Sequence, residues 1–479
     1  MAKTVSPGVQ ALRKVVEDVY ADARKAKAEG KLVGWSSSKF PCELAEAFDL
    51  NVMYPENQAA GIAANRDGEI MCKAAEDLGF DNDICGYARI SLAYAAGKRA
   101  SRKVDLETGE YVINPNSGKP LKDENGKVVI DPETGKPKKD PKTMQPYTVL
   151  DDIYEIEALP EGREKELRKA AIKPYRQMQM PQPDFMLCCN NICNCMTKWY
   201  ENIARMHNIP LIMVDIPYNN TVEVDDSNVK YVRAQFDKAI KQLEELTGKK
   251  FDEKKFEEAC ANANRTAKAW LKVCDYLQYE PAPYSGFDLF NHMADVVTAR
   301  ARVETAEAFE LFAKDLEEMV KKGETTTPFP EKYRVMFEGI PCWPKLPALF
   351  KPLKEHGVNV TAVVYAPAFG FVYNNMDEMA RAYYKAPNSV CIEQGVDWRE
   401  GICRDNKVDG VLVHYNRSCK PWSGYMAEMQ RRFTDDLGIP CAGFDGDQAD
   451  PRNFNAAQYE TRVQGLVEAM DANKQAKEA

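Results

Sequence analysis

The residues best suited to chemistry in this chain are its cysteines, of which there are 14 among 479 residues. A reducing compartment keeps such thiols free, and free thiols that cluster are usually metal ligands or redox groups. Cys188, Cys189, Cys193 and Cys195 lie within one short stretch. The sequence has no pair of CxxC motifs that would form a zinc ribbon, and no CxxCxxC run indicates a ferredoxin-type site. Any metal cluster here must therefore take ligands from distant segments.

Cysteines also occupy the positions where a parallel sheet collects ligands. Cys193 follows a predicted buried strand, and Cys419 lies shortly after another strand that ends at His414. Ligands of open α/β sheets bind outside the carboxyl ends of the strands. Cys85 directly precedes a predicted helix, whose first N–H groups favour a thiolate. These thiolates together suit an iron–sulfur cluster that leaves one iron open for substrate.

Hydroxyl, imidazole and guanidinium groups near these positions are the other candidates. Ser37 and Ser38 follow the first predicted strand and could hold a substrate oxygen, although hydroxyls there also cap helices. His414 ends a strand and could transfer protons, so we predict a catalytic role for it together with the two serines. Arg89 and Arg417 are predicted to bind a carboxylate or phosphate of the substrate, with surface salt bridges as the alternative.

Composition excludes several function classes. The sequence contains no GxxxxGK[ST] or GxGxxG loop for ATP or NAD, and no GxSxG of an α/β-hydrolase. A net charge of −9 argues against nucleic acid as a partner. Apolar stretches such as 361–368 are too short to span a bilayer. The N-terminus carries no apolar targeting region. We therefore expect a cytoplasmic protein without membrane contact.

The elements that would position these residues alternate between strands and helices. A helix at 7–29 and a strand at 32–35 precede a β–α–β unit made of strand 183–189, helix 196–208 and strand 210–215, which implies parallel strands. Further helices are predicted at 43–48, 66–98 with an interruption near 81–85, 227–275, 285–320 and 456–473, and further strands at 333–337, 359–365, 410–414 and 439–445. The predicted fold class is α/β, with two doubly wound parallel-sheet domains joined by helices.

Four segments follow from this order. They are an N-terminal helical segment at 1–30, a first α/β domain at 31–225, a helical connector at 226–330 and a second α/β domain at 331–479. Turn signals repeat between 101 and 146, which predicts a surface hairpin insertion in the first domain. A solvated excursion is the preferred interpretation of this insertion, and contact with a partner subunit is the alternative.

At the candidate residues the sequence becomes recognisable. The chain resembles the family of 2-hydroxyacyl-CoA dehydratases and benzoyl-CoA reductases over nearly its whole length, apart from 101–146. The motifs that carry the resemblance are Gly34–Glu43, Tyr54–Asn57, Cys85–Arg89, Asn190–Cys193, Lys198–Glu201, Asp409–Cys419, Asp445–Asp447 and Gln458–Arg462. Within the family, the length, the insertion and the segment 190–199 are most similar to an α subunit.

The resemblance implies a fold, a cofactor and a ligand set. The fold is two flavodoxin-like domains, and the cofactor is a [4Fe–4S] cluster held by three cysteines with one open iron. The motifs place those ligands at Cys85, Cys193 and Cys419. The neighbouring thiols at 188, 189 and 195 leave the middle ligand ambiguous, and Cys193 is preferred because Lys198 and Glu201 follow it at the family's offsets. Tyr87 is predicted to contact the substrate. FMN in the complex is a second cofactor that some relatives suggest, without a flavin motif here.

The resemblance also implies an activity and partners. The activity is elimination of water from (R)-2-hydroxyglutaryl-CoA to (E)-glutaconyl-CoA through a ketyl radical anion, as part of glutamate fermentation. The partners are a related β subunit, in a heterodimer, and a separate ATP-hydrolysing iron–sulfur activator, which fits the missing nucleotide loop. One alternative is a subunit of an acyl-CoA or benzoyl-CoA reductase, and another is a dehydratase for a different thioester such as lactyl-CoA. A third is a non-catalytic subunit that only carries a cluster.

Overall fold

The structure contains two parallel β-sheets, one in each half of the chain. It is a computed structural model that describes residues 5–175, 178–387 and 389–478. Its strands are β1 Val33–Ser36, β2 Asn51–Met53, β3 Lys98–Arg102, β4 Thr148–Asp152, β5 Phe185–Cys189, β6 Leu211–Val214, β7 Tyr333–Glu338, β8 Val358–Val363, β9 Gly410–Asn416 and β10 Cys441–Gly446. The first sheet has the order β2-β1-β5-β6 and the second β10-β9-β7-β8. Neighbouring strands within both sheets run parallel.

Helices cover the faces of these sheets and connect them. They are α1 Pro7–Ala28, α2 Cys42–Glu46, α3 Pro55–Ala64, α4 Gly68–Asp77, α5 Gly86–Ala95, α6 Ile153–Ala158, α7 Arg163–Ala171, α8 Asn194–His207, α9 Asp226–Thr247, α10 Glu253–Asp275, α11 Gly286–Phe290, α12 Met293–Ala299, α13 Val303–Lys322, α14 Leu346–His356, α15 Met376–Tyr384, α16 Ile392–Asp405, α17 Lys420–Ser423, α18 Met426–Leu437 and α19 Ala456–Glu478. Among the described residues, none of these helices has both the length and the apolar character needed to cross a membrane.

Both sheets have the flavodoxin-like strand order. In each, the first strand in sequence lies between the second and the third, so the order reverses between β1 and β5 and again between β7 and β9. Strands β5, β7 and β8 are buried along their whole length, as expected for parallel strands covered on both faces. The predicted fold class is confirmed. Ligands of such sheets bind at the reversal points, outside the carboxyl ends of the strands.

Two predicted helices are each divided in the structure. Gly248, with φ of 67°, ends α9, so the 227–275 prediction becomes α9 and α10. The 285–320 prediction is divided into α11, α12 and α13. Helix α12 ends before Arg300, whose guanidinium points into the core and whose Nε donates to Glu43 Oε1 at 3.0 Å. The buried ion pair lies at this break and joins it to helix α2.

The segment between β3 and β4 is a chain of tight turns on the surface. Strands β3 and β4 pair antiparallel, and isolated antiparallel bridges continue outward, for example between Val104 and Tyr111. Asp105 and Asp131 each accept a hydrogen bond from the backbone N–H two residues later, at 2.8 and 2.9 Å. These carboxylates close the turns that the repeated Asp-and-Gly pattern indicates in the sequence.

The predicted boundaries of the four segments, at 30, 225 and 330, stay predictions.

The two sheets pack into one continuous hydrophobic core. That core includes Trp35 of the first sheet and Phe337 of the second, both fully buried. Trp270 of α10 donates from its ring to the carbonyl of Ala366 at 3.0 Å, which attaches the connector to the second half. As a result, the loops after the strands of the two sheets meet each other.

Candidate functional site

The predicted ligand cysteines share one local structure. Cys85 is the N-cap of α5, Cys193 of α8 and Cys419 of α17. The Cys193 sulfur accepts a hydrogen bond from the backbone N–H of Met196 at 3.3 Å, whereas the Cys85 and Cys419 sulfurs make no such cap bond in the structure. The N–H groups of a first helical turn have no partner within the helix, so a thiolate at the N-cap satisfies one of them and gains from the helix dipole.

The three predicted ligands lie together, and Cys195 lies with them. Burial raises the pKa of the Cys85 thiol, and the neighbouring Cys195 and Cys419 raise it further. Burial also raises the pKa of Cys419 to about 12. The neighbouring Cys195 raises the pKa of the Cys193 thiol, and the same contact lowers the pKa of the Cys195 thiol to about 6. Thiols from both halves of the chain therefore meet at one place.

Cys188 and Cys189 lie apart from this group, inside strand β5. Both are fully buried, and the Cys189 thiol donates to Asn191 Oδ1 at 2.9 Å. Their thiols are therefore directed into the first sheet and its neighbouring loop. This placement favours Cys193 or Cys195 as the middle ligand.

The donor set suits an iron–sulfur cluster. Thiolates are the soft ligands that such clusters need, and N–H groups that donate to the sulfurs stabilise their negative charge. In the part of the chain that the structure describes, no three Cys, His, Asp or Glu side chains converge on one metal ion. The soft thiolate donors at 85, 193 and 419 nevertheless fit an iron–sulfur cluster by their chemistry.

A cavity of about 290 Å³ lies beside the cysteines, between the two halves of the chain. Ser38 and Tyr87 line it, as the sequence predicts for substrate contacts, together with Trp343. The Trp343 ring N–H donates to the Tyr87 hydroxyl. Burial raises the pKa of the Tyr87 phenol, and Cys85 and Cys419 add to this because their sulfurs are near. A molecule bound in the cavity beside Tyr87 would therefore lie near the sulfurs of Cys85 and Cys419.

Glu56 is the residue of the cavity that sequence reasoning missed. Its Oε1 accepts from the backbone N–H of Ser38 at 2.9 Å, and its Oε2 accepts from the Tyr200 hydroxyl at 2.8 Å. Burial raises the pKa of this carboxyl, and none of its partners is a cation. A signal was present in the sequence, because Pro55 starts a helix just after β2 and so places Glu56 at the carboxyl edge of the sheet.

The two predicted serines have different surroundings. Ser37 is fully buried, and its hydroxyl accepts from the backbone N–H of Cys189 at 3.1 Å, which attaches the loop after β1 to the end of β5. Ser38 lines the cavity, and its backbone carbonyl accepts from Arg300 at 3.3 Å. Of this pair, Ser38 is therefore the one on the cavity wall.

The structure places His414 away from the cavity. Its Nδ1 lies 2.5 Å from the carbonyl of Ile340, its Nε2 lies 3.3 Å from the Cys342 sulfur, and its ring stacks on Phe444 with centroids 4.9 Å apart. Burial lowers its pKa to about 4. A neutral imidazole with both nitrogens engaged in the core of the second sheet has no free atom for a substrate. The predicted catalytic role stays a prediction that this position does not favour.

The predicted arginines also lie outside the cavity wall. Arg89 is fully buried, and its NH1 donates to Glu76 at 2.8 Å and to Asp450 at 3.0 Å. It joins helix α4 to the loop after β10, so its role here is to hold the two halves together. Arg417 is exposed, and its backbone N–H donates to the carbonyl of Gly446. Neither guanidinium is placed to bind the acyl group in this cavity.

A second opening reaches the cysteines from another side. Its volume is about 570 Å³, and Cys193, Lys420 and Tyr425 are among the residues that line it. Lys420 directly follows Cys419 and is exposed. The cysteine group therefore lies between a small cavity with a carboxylate and a wider groove with an ammonium group.

Comparisons with known proteins agree on one family. Residues 165–470 match the model of the family described as 2-hydroxyglutaryl-CoA dehydratase, D-component. The chain is 76% identical over 477 residues, 100% of both chains, to (R)-2-hydroxyglutaryl-CoA dehydratase, subunit alpha, of Acidaminococcus fermentans. It is 44% identical to the (R)-phenyllactyl-CoA dehydratase alpha subunit of Clostridium sporogenes, over 97% of this chain and 96% of that one. It is 24% identical to a benzoyl-CoA reductase subunit of Thauera aromatica, over 62% of this chain and 72% of that one.

Proposed function

Since the chain belongs to the 2-hydroxyglutaryl-CoA dehydratase D-component family, we propose that it is the alpha subunit of a hydro-lyase that removes water from (R)-2-hydroxyglutaryl-CoA. The observation that carries this proposal is the 76% identity over the full length of a chain with that activity in its name. The relative named for a phenyllactyl thioester is less similar, at 44%. The benzoyl-CoA reductase relative matches a smaller part of the chain.

The proposal includes partners. An alpha subunit requires a β subunit, and we propose a heterodimer in the cytoplasm. A separate ATP-hydrolysing iron–sulfur activator would supply the electron, since the chain has no standard nucleotide-binding loop. FMN in the complex stays a prediction from the resemblance.

We propose that Cys85, Cys193 and Cys419 hold a [4Fe–4S] cluster. Their common N-cap position supports this, because the positive end of a helix dipole favours a thiolate there. When bound, the cluster would supply an open iron for the thioester and one-electron chemistry. The chain's own contribution is to hold the ligands from both halves and to keep water away from the site.

The elimination explains why the cavity has a carboxylate. Water can leave only if a β-proton is removed, and that proton is barely acidic. One electron on the thioester carbonyl gives a ketyl radical anion, which expels the 2-hydroxyl as hydroxide and leaves an enoxy radical. The β-proton of that radical is far easier to remove; the proton and the hydroxide leave as water, and the product radical anion then gives up the electron. We propose that Glu56 takes up this proton, because burial without a cationic partner brings the pKa of its carboxyl closer to neutral. Ser38 and Tyr87 would then orient the thioester from the same wall.

The apolar part of the cavity has a role in the same chemistry. Phe290, Leu346 and Phe369 line it and exclude water. In a dry site, hydrogen bonds to a developing negative charge are stronger than in water. Exclusion of water also protects a radical intermediate from side reactions.

Iron and acid-labile sulfide measurements on the anaerobically purified complex test this proposal. Cys85→Ala, Cys193→Ala and Cys419→Ala are compared with wild type and with Cys260→Ala, a buried cysteine on helix α10. We expect about four irons on this subunit of wild type and of the control, and loss of iron and of 2-hydroxyglutaryl-CoA turnover in the three variants. Full iron in Cys193→Ala would transfer the ligand role to Cys195. No iron in wild type would refute the cluster.

A further inference from the structure

The side-chain amide of Gln448 lies directly against the sulfur of Cys85. Its Nε2 is 3.1 Å from Cys85 Sγ, although the two residues are 363 positions apart. Gln448 is fully buried and stands just after the end of β10, in the loop that faces helix α5. We propose that Gln448 is a positioning residue that raises the reduction potential of the cluster through this hydrogen bond. The inference rests on the proposed function, because it requires a cluster on Cys85.

A small network holds the amide in place. The Ser418 hydroxyl accepts from the backbone N–H of Gly86 at 3.0 Å and donates to Gln448 Oε1 at 3.4 Å. The Gln448 carbonyl accepts from the backbone N–H of Trp343 at 3.2 Å. Glutamine is thus fixed at its backbone and at the oxygen of its side chain, so its NH₂ group is the part left for the sulfur. A sulfur bound to iron only accepts hydrogen bonds, which requires the same orientation.

Electrostatics give the direction of the effect. Reduction adds one negative charge to the cluster, and an N–H donor stabilises the more negative state more strongly. Complete burial of Gln448 strengthens this difference, because little water screens it. The Asp447 carboxylate acts in the opposite direction, since it adds to burial in raising the pKa of the Cys85 and Cys419 thiols. Arg89 lies 4.0 Å from this carboxylate as a partial counter-charge. The amide N–H of Gln448 is the group whose hydrogen bond to Cys85 favours the more negative state.

The neighbouring residue Asp447 shows that this loop orients an amide and a carboxylate differently. Its carboxyl lies next to Gln448 in sequence and also interacts with the Ser418 hydroxyl. Its Oδ1 accepts from the backbone N–H groups of Ala449 and Asp450, at 2.8 and 3.0 Å. In this loop the Asp447 carboxylate thus accepts from backbone N–H groups, whereas the Gln448 amide donates to the Cys85 sulfur. Exchange of the amide for a second carboxylate should reverse the interaction with the cluster.

A redox titration followed by electron paramagnetic resonance measures the potential directly. Wild type, Gln448→Leu, Gln448→Glu and Ser418→Ala are purified anaerobically as complexes with the β subunit. The signal that disappears in Cys85→Ala identifies the cluster of this chain. The matched control is Gln430→Leu, which makes the same change at a glutamine whose recorded partner is the Tyr415 hydroxyl at 2.8 Å.

We expect a lower midpoint potential in Gln448→Leu. At a fixed solution potential, the ratio of reduced to oxidised cluster should fall about tenfold, equivalent to about 59 mV for one electron. Gln448→Glu should shift further in the same direction, and Ser418→Ala should shift less, because it loosens the amide without removing it. Gln430→Leu should titrate as wild type.

The outcomes separate this inference from the proposed function. If Gln448→Leu contains its iron and titrates at the wild-type potential, the inference is wrong and the cluster stands. The inference is also wrong if Gln430→Leu shifts as much as Gln448→Leu, since the effect would then be general. If wild type shows no signal that depends on Cys85, the proposed cluster is refuted and this inference with it. Ser418→Ala keeps the test decisive if both Gln448 variants fail to fold.

Discussion

The two sheets have the same strand order but contribute opposite walls to the cavity between them. The first half supplies polar groups, Ser38, Glu56 and Tyr87. The second half supplies the aromatic rings of Trp343 and Phe369. A shared topology therefore determines where a site can form, whereas the residues that follow the strands determine its chemistry.

In the second sheet, the polar groups at the corresponding edge are already paired. Glu338 ends β7, and its Oε1 accepts from Arg399 Nε at 3.0 Å with both side chains fully buried. His414 of β9 lies against the sulfur of Cys342 and the ring of Phe444. Glu56 differs because its partners are a hydroxyl and a backbone N–H. From this comparison we expect Glu56 to take part in the proposed reaction and Glu338 to stabilise the fold.

The largest effect is expected at Glu56. Glu56→Gln keeps the volume and the hydrogen-bond acceptor but cannot take up a proton. Loss of a general base costs about 10²- to 10⁴-fold in kcat. Turnover of 2-hydroxyglutaryl-CoA should fall by that amount while iron content stays at the wild-type level. Full turnover in Glu56→Gln would show that Glu56 is not the general base.

Glu338→Gln should have the opposite profile. The change leaves the Arg399 guanidinium buried without its counter-charge, and such losses destabilise by about 3 kcal/mol or more. The urea midpoint of the anaerobic complex should fall, whereas kcat per folded molecule should change less than twofold. A loss of kcat as large as that of Glu56→Gln, with unchanged stability, would mean that both edges take part in the reaction.

His414 gives a pH-dependent test of the second edge. Burial lowers its pKa from 6.5 to about 4 in the folded chain, so its contribution to stability is complete above pH 6.5 and is lost as the pH falls towards 4. The size of this loss is roughly 3 kcal/mol, at 1.36 kcal/mol per pKa unit. His414→Phe should flatten the fall in unfolding free energy between pH 6.5 and 4.5. The pH profile of kcat should stay unchanged, and a shifted profile would restore the catalytic role.

The smallest effect is expected at Arg417. This side chain is exposed and does not line the cavity. Arg417→Gln should change the ratio of kcat/KM for 2-hydroxyglutaryl-CoA and an apolar 2-hydroxyacyl-CoA by less than twofold, and stability by less than about 0.5 kcal/mol. A selective loss for the dicarboxylic thioester would place this arginine in the acyl site after all.

The sequence could predict the features that depend on local pattern. Alternating strands and helices predicted the two sheets, and the positions after strands or before helices predicted where Cys85, Cys193 and Cys419 would lie. The family motifs selected these cysteines from the others. Helix periodicity could not reveal that Arg300 turns into the core at the end of α12, because its partner there, Glu43, is far away in the sequence.

The cavity wall was harder to predict than the cysteines. Arg89 and Glu56 lie in neighbouring motifs, and both carry ionisable side chains that could contact a substrate. Arg89 is nevertheless paired with Asp450, whereas Glu56 lines the cavity. The difference depends on how the second half packs on the first, where Trp343 closes the site over Tyr87. Such packing between distant segments leaves no periodic signal in either segment.

Because the proposed ligands come from both halves of the chain, they are synthesised at different times. Gly86 and Ser418, whose hydrogen bond stands beside the cysteines, are 332 residues apart. A ribosome that adds about 5–20 residues each second needs roughly 20 to 70 s to make that stretch. Throughout this interval Cys85 lacks Cys419, the last proposed ligand, and Cys193 lacks it from its own synthesis onward. Insertion of the proposed cluster would therefore be a late step of maturation, and any oxidant present during translation would meet the early thiols first.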